Sequence, residues 1–309
     1  MPDKAESKLH HPMKNDNDVS EITDDLESDD NLSDDGRGGK KTTKKVDTRY
    51  HRSLVYVFQS HYKTGAKEIQ FLREELTAAG VELKLKPLKN LGDAIYSYRY
   101  RVPLPQEIAS TAPEGYSWVI MPAGKGKYRF ELIKGSPFIQ PRRDAAVIKI
   151  PDATPEIITA NDQGDEQAVL ARIRYNRLID IFLGLTAYSL QNHFRTFVKD
   201  MGQIETDEVY VGVNRQGQQF VIPVQGKGNK DLLAVVQTKQ DLACCHEKEK
   251  LKELTCRPVS AQFMSDKSIA LFELVEDEGG VRVAEERHYK LVPSTEITAE
   301  DRTRYAHKG

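Results

Sequence analysis

A chain of 309 residues with 39% hydrophobic and 30% charged residues has room for two domains of ordinary size with cores of modest extent. It holds no run of 18 apolar residues, and its first residues (MPDKAESKLHHP) lack the apolar stretch of a secretory signal, so neither a membrane helix nor export is expected. Three cysteines, Cys244, Cys245 and Cys256, make no disulfide framework and fit a reducing cytoplasm.

Adjacent cysteines leave a helix on different faces, which argues against a zinc site built from Cys244, Cys245, His246 and Cys256. The net charge of −2 is unevenly spread: residues 1–36 hold 12 Asp and Glu against 3 Lys, leaving 42 Lys and Arg against 35 acids in the remainder. A basic body suits a polyanionic partner. Residues 1–47 have almost no large apolar side chains, so they are expected to be a disordered acidic tail. That tail reads either as a mimic of nucleic acid or as a solubilising segment.

From Tyr50 the apolar spacing becomes helical, with Leu54, Val57, Phe58 and Tyr62 on one face. A second helix is expected to carry Ile69, Leu72, Leu76 and Ala79 and to stop at Gly80. A third is expected to begin near Asn90, with Leu91 and Ile95 inward and a mixed aromatic and cationic run over 96–101 (YSYRYR). A hairpin follows, from 118–121 (WVIM) across a GKGK tip to 128–132 (YRFEL). Three short helices and a hairpin resemble a winged helix-turn-helix, which implies a DNA-binding domain over residues 48–136. The resemblance implies that Arg99 and Arg101 on the third helix, and Lys125 and Lys127 on the wing, meet DNA phosphates. The plainer reading is a small packing domain.

Residues 137–165 read as a linker with a short strand at 147–150. Helical spacing returns at Glu166, with Leu170, Ile173, Leu178, Ile181 and Leu185 as one stripe and Asp180 on the same helix. A strand over 190–198 (LQNHFRTFV) places Gln191, His193 and Arg195 on one face. His193 reads as a general base or as a structural residue.

The central feature is the stretch 204–230 (IETDEVYVGVNRQGQQFVIPVQGKGNK). Two strands, 210–213 and 220–224, flank the turn Asn214-Arg215-Gln216-Gly217. Strand alternation sets Glu205 and Asp207 on one face, Gln225 and Lys227 on one face, and Glu208 on the other, where its loss is expected to be mild. A helix over 230–249 carries Gln237 and Gln240, strands follow at 259–264, 269–275 and 281–292, and a short helix begins near Thr298. No internal repeat is present.

Asp207, the hairpin and Gln225-Gly226-Lys227 resemble the PD-(D/E)xK nuclease superfamily, in the variant where Gln replaces the second acid. The order of elements from Glu166 matches that resemblance over about 100 residues. It implies an α+β and α/β chain: a winged-helix-like domain followed by a restriction-endonuclease-like core (helix, mixed β-sheet, helix) over residues 166–309. It further implies a Mg²⁺-dependent DNA endonuclease of a restriction or phage-defence type, with Mn²⁺ able to substitute. Asp207, the Gln225 amide oxygen and the Gly226 carbonyl would hold the metal, a hard cation that takes oxygen ligands. Lys227 would orient water and offset charge, with Glu205 assisting. Asp180 would add a carboxylate, or else pair with Arg177; Gln240 would support the site; Arg195 would hold a phosphate. The partner is double-stranded DNA, and cutting both strands implies a homodimer. The alternative, from a different class, is a catalytically inactive DNA-binding or regulatory protein.

Overall fold

The structure, a computed structural model, describes residues 48–161 and 166–306. The acidic tail expected over 1–47 lies outside the described residues. Helix α1 (Thr48–His61) is followed by β1 (Glu68–Leu72), α2 (Arg73–Glu82), α3 (Leu91–Tyr100) and α4 (Gln106–Ala109). The hairpin β2 (Tyr116–Pro122) and β3 (Lys127–Lys134) then completes a three-stranded antiparallel sheet of order β1-β3-β2. Ile69 and Leu72 had been expected on a helix. The burial of Ile69 and Phe71, with exposed neighbours, shows instead the two-residue period of a strand. Asn90 starts α3 as expected, its side chain accepting from the Asp93 amide at 3.0 Å. The core here is aromatic, with Phe58 edge-on to both Trp118 and Phe130.

The segment expected as a linker is pinned by pairing. It contains β4 (Phe138–Ile139), β5 (Val147–Pro151) and α5 (Glu156–Ala160). Beyond it lie α6 (Glu166–Tyr175), α7 (Leu178–Leu183), β6 (Thr186–Val198), β7 (Gly202–Val213), β8 (Gln219–Lys227), β9 (Leu233–Ala234) and α8 (Val235–Glu247). The chain continues through β10 (Thr255–Cys256), β11 (Val259–Phe263), β12 (Ile269–Asp277), β13 (Gly280–Val292) and α9 (Ala299–Ala306).

Strands run β5-β13-β12-β11-β8-β7-β6 in one mixed sheet, with β10 also on β8; β4 pairs with β9 separately. Pairs β11–β8 and β5–β13 are parallel, and the hairpins β6–β7, β7–β8 and β12–β13 are antiparallel. The turn at Asn214 forms because its side-chain oxygen accepts from the amides of Gln216 and Gln218, while Gly217 takes φ +82°.

Strand β8 is buried on both faces. Phe220, Ile222 and Val224 pack with α6 and α7 residues such as Leu170, Ile173 and Phe182. Val221 packs with Val209, Cys245 and Leu251. A sheet strand covered on both faces needs the near-continuous apolar run that this strand has. The helical stripe from Glu166 does not continue unbroken to Leu185. Arg177 takes φ +50°, which ends α6 and starts α7, and Ile181 faces solvent. Val119, Met121 and Ile133 of the first sheet share a core cluster with Val235, Ala270 and Phe272, so the first sheet and the mixed sheet are packed together.

Candidate active site

Strand alternation breaks at Asp207. Before it, Ile204 and Thr206 face α8: Ile204 packs with Cys244, and the Thr206 hydroxyl donates to Asp241 at 2.6 Å. Beyond it, Val209 faces α8 instead, whereas Glu208 and Tyr210 face α6. The slip of one residue occurs where the β7–β8 ladder stops, at the pair Glu208↔Val224. There the Asp207 carboxylate, not a backbone carbonyl, accepts the Gly226 amide at 2.8 Å. Such local breaks bend a strand and re-aim a side chain, and they are common beside functional sites. Gly226 is closely packed: a Cβ there would meet the Leu170 side chain of α6 at 3.2 Å.

Asp207 and Lys227 line one cleft of about 420 Å³ together with Glu205 and Glu166. The Lys227 ammonium stands 3.3 Å from a Glu166 oxygen, with its side chain only 14% exposed. Glu166 was expected only as the start of a helix. Its signal was available in the spacing: Glu166, Leu170 and Ile173 share one helix face, so an acid occupies a core-facing position. Burial raises the pKa of Glu166, the Lys227 charge opposes that rise, and the Asp207 charge adds to it. Burial likewise raises that of Asp207, against the Lys227 charge and the Gly226 hydrogen bond, with Glu205 adding to the rise. A cation in this cleft would favour the charged form of both carboxyls, against the burial that lifts them.

Gln225 does not stand in that cleft as a free ligand. It is 2% exposed. Its amide nitrogen donates to Asp241 at 3.1 and 3.3 Å and to the Glu205 carbonyl at 3.3 Å. Its oxygen accepts from Gln237 at 3.0 Å. The oxygen expected to hold a metal thus already accepts from a helix donor, and the residue ties β8 to α8. Asp241 and Gln237, neither singled out for the site beforehand, complete this network. Burial, partly offset by the Thr206 and Gln225 hydrogen bonds, pushes the Asp241 carboxyl up to about 7. The sequence signal for Asp241 was an acid among the buried positions of α8.

Other expected residues separate into groups. Glu205 lies at the cleft but is shared between His193 at 3.2 Å and Arg195 at 3.1 Å. His193 holds φ +48°, and Arg195 is exposed. Asp180 is elsewhere. It pairs with Arg177 and accepts from the Ala187 amide at 3.0 Å, in a second cavity that shares no residue with the cleft. Of its two readings, the ion pair is the one present. Glu208, whose loss was expected to be mild, is fully buried, bonded to Arg174 at 2.8 Å and Ser189 at 2.6 Å. The break at Asp207 moves it from the α8 face to the α6 face, both of which are covered.

Arg99 lines the cleft, and Tyr100 beside it donates its hydroxyl to Gln240 at 2.8 Å. Arg101 stacks over Tyr96 with its guanidinium 4.8 Å from the ring centre. Lys125 and Lys127 are exposed at the tip between β2 and β3, where Gly124 and Gly126 both take positive φ.

Among the described residues, no group of three or more His, Cys, Asp or Glu is arranged to hold a metal ion. The Asp207, Glu166 and Glu205 carboxylates at the cleft are oxygen donors, the ligand type that hard cations take. The chain matches no protein-family model, no curated protein and no solved structure.

Proposed function

We propose that this chain is a Mg²⁺-dependent DNA endonuclease that hydrolyses phosphodiester bonds. The observation that carries the proposal is the meeting of Asp207, Glu166 and Lys227 in one cleft, from three different elements. Asp207 and Glu166 would hold the cation, with Glu205 near enough to help. When bound, the cation supplies charge neutralisation at the phosphate and acidifies a bound water. Asp207 is pre-oriented, because the Gly226 amide fixes one of its oxygens. Lys227 is held by Glu166 until a phosphate competes for it, and its ammonium then offsets the charge that develops on the phosphoryl oxygens. The order α1-β1-α2-α3-α4-β2-β3, in which the short α4 precedes the hairpin, with exposed Lys125 and Lys127 at the hairpin tip, supports a winged-helix-like reading of the first part, suited to contact with double-stranded DNA.

One observation favours the second reading, a DNA-binding protein without catalysis. The residue at the second acid position, Gln225, is consumed by an internal network. Supercoiled plasmid incubated with the protein separates the two. Nicking with Mg²⁺ or Mn²⁺, abolished by EDTA, is the result expected of the nuclease. Lys227→Ala should lower the rate by at least ~10²-fold, the scale of one lost electrostatic stabiliser, and leave affinity in Ca²⁺ within a few-fold. Binding without nicking by the wild type, on modified and unmodified DNA alike, would leave the non-catalytic reading standing.

A further inference from the structure

The aromatic and cationic run of α3 shares a cavity with the carboxylates. Tyr96, Arg99 and Tyr100 line the same 420 Å³ space as Glu166, Asp207 and Lys227. Tyr96 is 45% exposed, and its ring lies 4.8 Å from that of Tyr100. Helix α8 also lines the space and carries two amides whose orientations are set by bonds already made. Gln240 gives its oxygen to the Tyr100 hydroxyl, which leaves its nitrogen without a partner. Gln237 gives its nitrogen to Gln225, which leaves its oxygen without one. The Arg99 Nε is also unpartnered.

Buried polar groups without partners are uncommon, and each costs free energy until something satisfies it. Here two buried donors and one buried acceptor belong to residues that line a space walled partly by phenol rings. A planar heterocycle with both donors and acceptors on its edge fits that set. Glutamine amides and arginine pair with base edges in this way, and bases stack on aromatic side chains. At about 420 Å³ the space is of the order of a small-molecule pocket, enough for one nucleotide.

We infer that the cleft takes one unpaired nucleotide, its base against Tyr96 and its edge read by Gln237, Gln240 and Arg99, next to the phosphate held at Asp207 and Lys227. This inference rests on the nuclease reading for its substrate class, and it adds that the base beside the cut phosphate is out of the stack. Such a nucleotide comes either from a single strand or from a duplex that has released one base.

Affinity measured in Ca²⁺ tests the inference without requiring any cleavage. Full-length protein is titrated with three oligonucleotides containing 2-aminopurine: single-stranded, matched duplex, and duplex with a mismatch at the probe. Tighter binding of the single strand and the mismatch than of the matched duplex is expected. Tyr96→Ala should weaken both by about 5- to 150-fold, the range for one lost base-stacking contact. Tyr96→Trp should stay within a few-fold of wild type. Gln240→Glu keeps the acceptor for Tyr100 and removes the free donor, so the ranking of the four bases at the probe position should change.

A rise in 2-aminopurine fluorescence in the matched duplex marks a base released from it; binding confined to the single strand marks the other source. Both outcomes support the inference. Equal affinity for all three oligonucleotides, with Tyr96→Ala unchanged, overturns it even if plasmid is nicked. Failure to nick with the binding pattern intact overturns only the nuclease reading. No DNA binding in any form overturns both.

Discussion

Replacing Gln225 with Glu removes the donor that faces Asp241 at 3.1 Å and puts a second carboxyl in its place. The lost bond is one to a charged group, with a cost of about 1.5–3 kcal/mol. Two buried carboxyls at this separation cannot both ionise, so the pair must retain a proton. Asp241 alone is already pushed up to about 7. Keeping a proton on the pair at pH 8 then adds about 1.4 kcal/mol for each unit by which pH exceeds its apparent pKa. A deficit of about 2–4 kcal/mol at pH 8 follows, a large part of the ~5–15 kcal/mol available to a domain. The sign with pH is fixed by linkage. The folded pair binds a proton that the unfolded carboxyls, with pKa about 4, release, so stability falls as pH rises above about 4. Urea unfolding at pH 5 and pH 8, wild type beside Gln225→Glu, should show a deficit that is larger at pH 8. Cleavage at low Mg²⁺ should not improve, because the new carboxylate joins Asp241 and not Asp207. A deficit below ~0.5 kcal/mol at pH 8, or a gain in cleavage, would show that Gln225 faces the cleft after all.

The Asp241→Asn variant keeps an oxygen for Thr206 and Gln225 but cannot ionise, so its stability relative to wild type should rise between about pH 4 and 7; a flat difference in urea midpoints across that window would refute the raised Asp241 pKa. Glu208→Ala should lower stability by about 2–3 kcal/mol, below the full cost of a broken buried pair because Arg174 is 35% exposed and can hydrate. A thermal-unfolding midpoint equal to wild type would count against the buried Arg174–Glu208 pair. Lys125→Ala combined with Lys127→Ala should weaken DNA binding and reduce the slope of log affinity on log salt by about 0.9 per lost phosphate contact. An unchanged slope would assign residues 48–136 to packing alone.

Much of this protein is legible along the chain. The turn at Asn214-Gly217, the helix start at Asn90, and the runs that became β8, α8 and β13 depend on residues close in sequence: a side-chain cap, a glycine with positive φ, a local apolar period. The proximity of Asp207 to Gly226 and Lys227 was legible too, because a hairpin of known turn sets which residues face each other. Other features were decided by contacts between distant segments. Phe71 and Ile69 became a strand because β3 offered an edge to pair with. Glu166 entered the cleft because Leu170, one turn along, packs against the bare backbone of Gly226. Gln225 turned from the cleft because α8 brought Asp241 and Gln237 beside it, and Glu208 faces α6 because strand alternation breaks at Asp207. Local propensity and alternation act over a few residues and are written in the order of the chain. Where a polar side chain points depends on which donor or acceptor another element delivers to it, and that is set only when the sheet and its helices close together.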